Sequence, residues 1–509
     1  MYESRREPMT QIPALRASVS IEEFSSDDRF PARLVDSELS QRIRLDALGL
    51  RVARALSVPA TIPDLVETVG AKEESIERIV KTLERLQVLD TEKSRAFIES
   101  ENQAKAMAEA DPMTVPLLIR DDARFTCSMC GSCCGGQNVG PVSAEKVASL
   151  KPKFPILRER TGVTKPFFMD VPVTVDGATV ERTICQSSKG ACVFLGEDRL
   201  CTIHGEFGGE AKPNVCQVFP YQFKATPEGV SVSLGMECRG FVEARQGKKL
   251  KDQEADIRQM MSRLKISTLR TVITLDDETT LNHTDYMAIE TELHRVVDEG
   301  SSDPIQTLLT MRKELESRRE HKAAPNDSVP DLVRDLELFQ EDFIQSLGEL
   351  HDSYHHADDR ITVHTGALDH LARGVAGLLP DFERILQPLR RKEARDLFGE
   401  YAHHALMGKE FVRARHLVLG FARFNFSWLV VKSIAIDRIR QVKRRHLLPQ
   451  DIQDALVIMH FLFRGVDAIS GLRRHDAQLV SLFYDRLPLM LEVGPTLGLA
   501  NQPATLYKF

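Results

Sequence analysis

Cys127, Cys130, Cys133 and Cys134 fall within one eight-residue run, Cys-Ser-Met-Cys-Gly-Ser-Cys-Cys. The other five cysteines, Cys185, Cys192, Cys201, Cys216 and Cys238, follow within about a hundred residues, and the rest of the chain has none. A thiolate is a soft, anionic donor suited to zinc and to iron–sulfur clusters. Two cysteines separated by two residues can turn back onto one ion or onto two neighbouring irons. Cys134 follows Cys133 directly, so its side chain is expected to point elsewhere, toward a second metal or another vertex. Gly131, Gly135 and Gly136 give the backbone freedom to fold tightly around such ligands.

The C-x2-C-x2-C spacing of Cys127, Cys130 and Cys133 is the arrangement bacterial ferredoxins use. The later thiols also sit at structured places. The run from Cys192 to Cys201 reads as a tight hairpin with a thiol at each end, Pro213-Asn-Val-Cys216 as a stiff turn, and Cys238 follows a strand. Nine thiols are enough for two four-ligand sites with one left over. The expected metal ligands are Cys127, Cys130, Cys133, Cys134, Cys192, Cys201, Cys216 and Cys238, with Cys185 the odd one out. His204, three residues after Cys201, is a candidate nitrogen ligand, weighed against a hairpin-surface position. Nine inert buried thiols confined to one block is the less economical reading. A disulfide scaffold does not suit the cytoplasmic location expected below.

At 509 residues the chain has room for about three domains, and 28% charged residues speak against general disorder. The formal net charge of −7 argues against a nucleic-acid protein held by bulk electrostatics. The N-terminus has no apolar core of a secretory signal. Phe426–Ile436, the most membrane-like run, is too short to span a bilayer and contains Lys432. The protein is therefore expected in the cytoplasm, with no membrane partner.

The fold class read from these patterns is α+β, mostly helical. Residues 1–30 read as a flexible tail. Residues 31–95 read as a winged-helix-like domain: a strand or two, a helix, a helix opened by Thr61 with Pro63 in its first turn and ended by Gly70, and a third helix carrying Ile76, Ile79, Leu83 and Leu86. VLDTEKSRAFIES supplies the closing strand of that reading. On the third helix, Lys72, Arg78, Lys81 and Arg85 are offset by Glu73, Glu74, Glu77 and Glu84, so docking is favoured over DNA contact. Residues 96–124 read as a helical connector. Residues 125–241 form an irregular β-rich cysteine domain, with a helix capped by Ser143, a hairpin turning at Asp176-Gly177 and another around Pro227-Glu228-Gly229. Residues 250–495 read as an all-helical domain, interrupted by a polar linker over 321–330.

FTCSMCGSCCGG, followed by ACVFLGEDRLCTIH and KPNVCQVFPY, resembles the cysteine-cluster family of zinc- or iron-chelating proteins (YkgJ-type, CxxCxxCC). Within that group the chain looks closest to flagellin lysine-N-methylases, whose C-F-L…L-C-x-I-H…P-x-x-C-x-x-F-P pattern, later cysteine and long helical half are similar to this sequence. The resemblance implies an iron–sulfur cluster, or alternatively zinc, and S-adenosylmethionine-dependent methylation of a protein or peptide lysine. The competing reading is a non-enzymatic chelating or redox-sensing protein with a winged-helix interaction module. No G-x-G-x-x-G joins a strand to a helix, so a Rossmann-type cofactor loop is not visible, and no catalytic residue is assigned.

The remaining candidates read as structure. His355-His356 with Asp358 and Asp359 lie in a polar loop. His403 and His404, adjacent on a helix, point to different sides and cannot both serve one ion. Arg390-Arg391-Lys392 and Lys443-Arg444-Arg445 read as solvated helix faces. Phe421, Phe424, Phe426 and Trp428 read as helix core.

Overall fold

The computed structural model describes residues 11–24, 29–135, 139–175, 178–188, 191–300, 303–319, 328–355, 362–387, 389, 391–465 and 474–493. The chain is mixed α and β, with a β-rich middle and a helical C-terminal half.

The N-terminal part opens with an antiparallel meander, β1 (Val19–Glu23), β2 (Ala32–Asp36) and β3 (Gln41–Leu45), in the order β1-β2-β3. The first thirty residues are thus not simply a tail. Val19↔Asp36 through Glu23↔Ala32 pair along the whole of β1, and Ile12 is buried in the same core as Leu34 and Val52. Three helices follow: α1 (Ala47–Ala55), α2 (Ile62–Val69) and α3 (Glu73–Arg85). Thr61 and Asp64 form a reciprocal capping box on α2, and Gly70 ends it in the left-handed region. Ile76, Val80 and Leu83 turn one face of α3 inward.

The expected closing strand is instead the start of a helix, α4 (Glu92–Glu109). Thr91 and Ser94 cap each other's backbone there, and that local closure, with no Pro or Gly in the eighteen residues after it, favours helix over an edge strand. Only the bridge Leu15↔Leu89 remains of the strand.

In the middle part, β4 (Leu117–Leu118), α5 (Ala144–Leu150), α6 (Phe154–Thr161), β5 (Phe168–Val175), β6 (Ala178–Cys185), β7 (Ser187–Ser188), β8 (Ala191–Cys192), α7 (Thr202–Phe207), α8 (Asn214–Val218), β9 (Tyr221–Thr226), β10 (Gly229–Leu234) and α9 (Phe241–Ala244) succeed one another. Ser143 caps α5 through the backbone N–H of Lys146. β5 and β6 pair in register, while their turn, Asp176-Gly177, lies outside the described residues. β9 and β10 form the central hairpin of a four-stranded sheet, order β11-β9-β10-β4, with β11 at Ser267–Thr268. α4 packs on this sheet, which explains why the N-terminal part is tied to the middle of the chain.

The C-terminal half begins less helically than its amphipathic pattern suggests. α10 (Glu254–Met261) is short, and β11 is followed by β12 (Ile273–Thr274) and β13 (Thr280–Leu281). β-branched Ile266 and Thr268, and later the run Thr271-Val-Ile-Thr, favour extended backbone, and β11 gains a parallel partner in β9. Helices then dominate: α11 (His283–Gly300), α12 (Pro304–Ser317), α13 (Val329–His355), α14 (Thr362–Ala376), α15 (Phe382–Leu386), α16 (Lys392–Met407), α17 (Leu417–Gln441), α18 (Pro449–Gly465), α19 (Asp476–Val480) and α20 (Leu487–Val493). α13 already begins within the linker expected over 321–330, whose residues 321–327 are outside the described ones, as are His356, Asp358, Asp359 and Arg390. α17 is the central helix. By length and composition it is apolar enough to cross a membrane, yet 94% of its most apolar window is buried inside this domain. Phe421, Phe426 and Trp428 are core residues of it.

His403 and His404 on α16 do point apart. The His403 ring lies against His294, with Nδ1 atoms 2.8 Å apart, and its Nε2 is 2.9 Å from Asp298. His404 accepts from the backbone N–H of Leu234 at 3.2 Å and meets the edge of Phe241. Burial pushes His403 down to about 4 and His404 down to about 3. A base whose folded pKa is depressed contributes stability that is complete above its ordinary pKa of about 6.5 and is lost as the pH falls toward the folded value. Unfolding followed by tryptophan fluorescence should therefore show a histidine-dependent fall of the midpoint from about pH 6.5 toward pH 4. Replacing both histidines by glutamine should flatten that slope.

Candidate metal centre

All nine cysteines line one cavity of about 530 Å³. Three local devices bring them there. First, the run after Phe125 is strapped to the turn beyond Cys238: the Phe125 N–H donates to the Lys248 carbonyl at 3.0 Å, and the Thr126 N–H to that of Ala244 at 2.9 Å. Second, the β9–β10 hairpin leaves from Cys216 and returns the chain at Cys238. Third, isolated bridges Gly135↔Ala191 and Leu195↔Cys201 lay the first cysteine run along the hairpin that carries Cys192 and Cys201.

Gly131 is the pivot of the first run. Its φ is +70°, and a Cβ there would stand 2.2 Å from the Arg199 carbonyl oxygen. Arg199 in turn donates to Ser132 Oγ at 3.2 Å. Gly131→Ala must therefore displace backbone as well as adopt a strained φ, at a cost of about 2–4 kcal/mol. Bound metal per chain, measured after gel filtration, should fall at least severalfold in this variant. Full retention would show that the loop tolerates a side chain there.

The thiols touch in pairs. Cys133 and Cys134 sulfurs are 3.9 Å apart. The Cys134 thiol serves as donor, which pulls Cys133 down to about 6 and pushes Cys134 up. Cys185 plays the same donor role toward Cys192, so Cys185 is raised and Cys192 lowered. Burial pushes Cys216 and Cys238 each up to about 12, and raises Cys201. Lys212 is the basic side chain that acts on Cys133, Cys201 and Cys216. Lys212 and Arg199, the two Lys/Arg side chains of the lining, cannot balance the ionisation of all nine thiols, so their joint ionisation calls for further cations among them. The donor set is therefore the one a zinc or iron centre requires.

The sulfurs line the wall without closing on one point: among the described residues, no three His, Cys, Asp or Glu side chains form a group able to hold an ion. Cys127 is exposed, Cys185 and Cys192 are buried, and the other six are intermediate. Cys185, the expected odd one out, lines the cavity with the rest. His204 lies in α7 at the cavity's exposed rim and lines it as well. Sequence reasoning passed over Lys212, four residues before Cys216 in a run already singled out. It also passed over Gly240, whose Cα leaves no room for a side chain beside Cys130 Sγ.

Residues 126–239 match the family model described as "CxxCxxCC: Putative zinc- or iron-chelating domain". No curated protein and no solved structure matches the chain. The CxxCxxCC match begins one residue before Cys127 and ends one after Cys238, so its span coincides with the cavity-lining thiols. It does not extend to α10–α20, the region on which the likeness to lysine methylases also leaned.

Proposed function

We propose that this chain is a metalloprotein whose CxxCxxCC domain holds an iron–sulfur centre through Cys127, Cys130, Cys133, Cys134, Cys192, Cys201, Cys216 and Cys238. The observation that carries this reading is that every thiol of the chain lines one cavity. A zinc ion at about 2.3 Å from each sulfur draws four sulfurs to within about 3.8 Å of one another. Nine thiols exceed the four that one such ion takes, and this surplus supports the reading of a polynuclear unit. Such a unit supplies redox capacity or Lewis acidity. The chain's own residues deliver the sulfurs, release thiol protons on binding, and shield the inner side with Phe167, Phe194 and Ile203. Oxygen-free purification followed by iron, zinc and sulfide analysis tests the reading. Iron with matching sulfide and a broad visible absorption supports it. Zinc without sulfide replaces the cluster by a zinc site, and a chain with neither metal defeats it.

A second reading, transfer of a methyl group from S-adenosylmethionine to a protein lysine, draws on a cleft of about 630 Å³ next to the thiols. The two spaces share Val215, Phe219, Pro220 and Glu237, and the cleft adds Tyr221, Gln222, Arg263 and Lys265. Calorimetric titration of S-adenosylmethionine into the metal-loaded chain separates this reading from a non-enzymatic one. In either case β1–β3 and α1–α3, whose third helix balances its charges, are proposed as a winged-helix-like docking module for a protein or peptide, in a cytoplasmic protein.

A further inference from the structure

We infer that the nine thiols serve two separate metal centres: an outer one held by Cys127, Cys130, Cys133 and Cys238, and an inner one held by Cys134, Cys192, Cys201 and Cys216. This inference rests on the metal-binding reading and extends it to the number of centres and their ligands.

The division follows the packing. The outer four belong to the part of the cavity that leans on the main core. The backbone at Thr126 is bonded to Ala244, Cys238 packs against the main core that contains Phe125 and Phe241, and a Cβ on Gly240 would stand 2.9 Å from Cys130 Sγ. The inner group belongs to a different apolar cluster. Cys185 and Cys192 are buried in it with Phe167, Phe194 and Ile203, and Cys134 and Cys201 pack against it. Bridges Gly135↔Ala191 and Leu195↔Cys201 fix Cys134, Cys192 and Cys201 as neighbours. Cys216 enters from α8 and lines the cavity beside Cys192 and Cys201, with Cys133, at the seam, also near enough to act on it.

The seam runs between two consecutive residues. Cys133 and Cys134, 3.9 Å apart, sit in a single turn of tight helix, Ser132–Cys134. A chain that supplies three thiols at C-x2-C-x2-C spacing to one centre and the next thiol to another is how two-cluster ferredoxins are wired. Cys185, buried in the same apolar cluster as Cys192, remains outside both sets.

Metal per chain in oxygen-free preparations tests the division. The pair Cys127→Ser and Cys238→Ser should lower it to about half of the wild-type value, and so should the pair Cys201→Ser and Cys216→Ser, while the four together should remove all of it. Loss of all metal in either pair, or full retention in either, overturns the division. Should a pair fail to fold, native mass spectrometry of the wild-type chain during gradual chelation replaces it. A species holding half the metal supports two centres, and all-or-none loss overturns them. A wild-type chain without metal would instead defeat the metal-binding reading itself.

Discussion

Stripping the metal with a strong chelator under oxygen-free conditions should melt residues 139–218 and leave the surroundings of Trp428 native. The reason is the contrast between the two cores. The apolar cluster of the cysteine part has ten buried members, two of which are Cys185 and Cys192 themselves. Its sheets, β5–β6 and β7–β8, are two-stranded, and a two-stranded ribbon is marginal in water. Structural zinc contributes about 10–16 kcal/mol of apparent binding free energy in small thiol-bound domains. A cluster this small cannot replace a contribution of that order. The helical half is packed around α17 in the large apolar cluster that runs from Phe125 to Met490, and only the edge of that cluster, at Phe125 and Ala244, reaches the thiol cavity. Trp428 is the sole tryptophan and is fully buried there. Hydrogen exchange should thus show lost protection over 139–218 after chelation, with unchanged tryptophan emission. Equal protection before and after complete metal removal would mean that the thiols are ornamental to the fold.

That expectation could be drawn up from sequence only in part. The cysteine block was legible because soft donors at C-x2-C-x2-C spacing have few other uses, and because glycine marks the turns between them. The caps at Thr61 and Gly70 were legible for the same local reason. What stayed hidden depended on distant partners. Val19 and Ile21 form a strand because β2 is there to pair with, and nothing within residues 1–30 announces it. The segment after Leu89 is a strand only by its place in a winged-helix order, and its Thr91–Ser94 cap decides for helix. Ser267 and Thr268 leave the helical pattern for an edge position beside β9. Likewise, the division of the thiols between two apolar clusters is a property of the packing, and their spacing along the chain does not contain it.

The same distinction applies to a single lysine. Lys409 follows α16 in a polar-looking Gly-Lys-Glu sequence, yet its side chain is 1% exposed and ion-paired with Glu290 of α11, 3% exposed. Tyr286 donates to the other carboxylate oxygen of Glu290, and the Lys409 ammonium lies 5.7 Å from the centre of the Tyr286 ring. The pair therefore pins the end of α16 onto α11 just before the chain turns into α17. Removing either partner leaves a buried charge with no counter-ion, which costs about 3–5 kcal/mol. Lys409→Met or Glu290→Leu alone should lower the unfolding free energy of the helical half, read through Trp428, by that amount. The double variant Glu290→Leu with Lys409→Met should recover most of the loss, because an apolar pair of similar volume has no desolvation penalty to offset. Methionine retains the unbranched stem and must adopt the same φ of +58°, so backbone strain is common to both chains. If each single change costs under about 1 kcal/mol, as exposed pairs do, the ion pair is open to water and does not lock these helices. If the double variant is no better than either single one, the lysine stem and the carboxylate are held by packing that apolar side chains cannot reproduce.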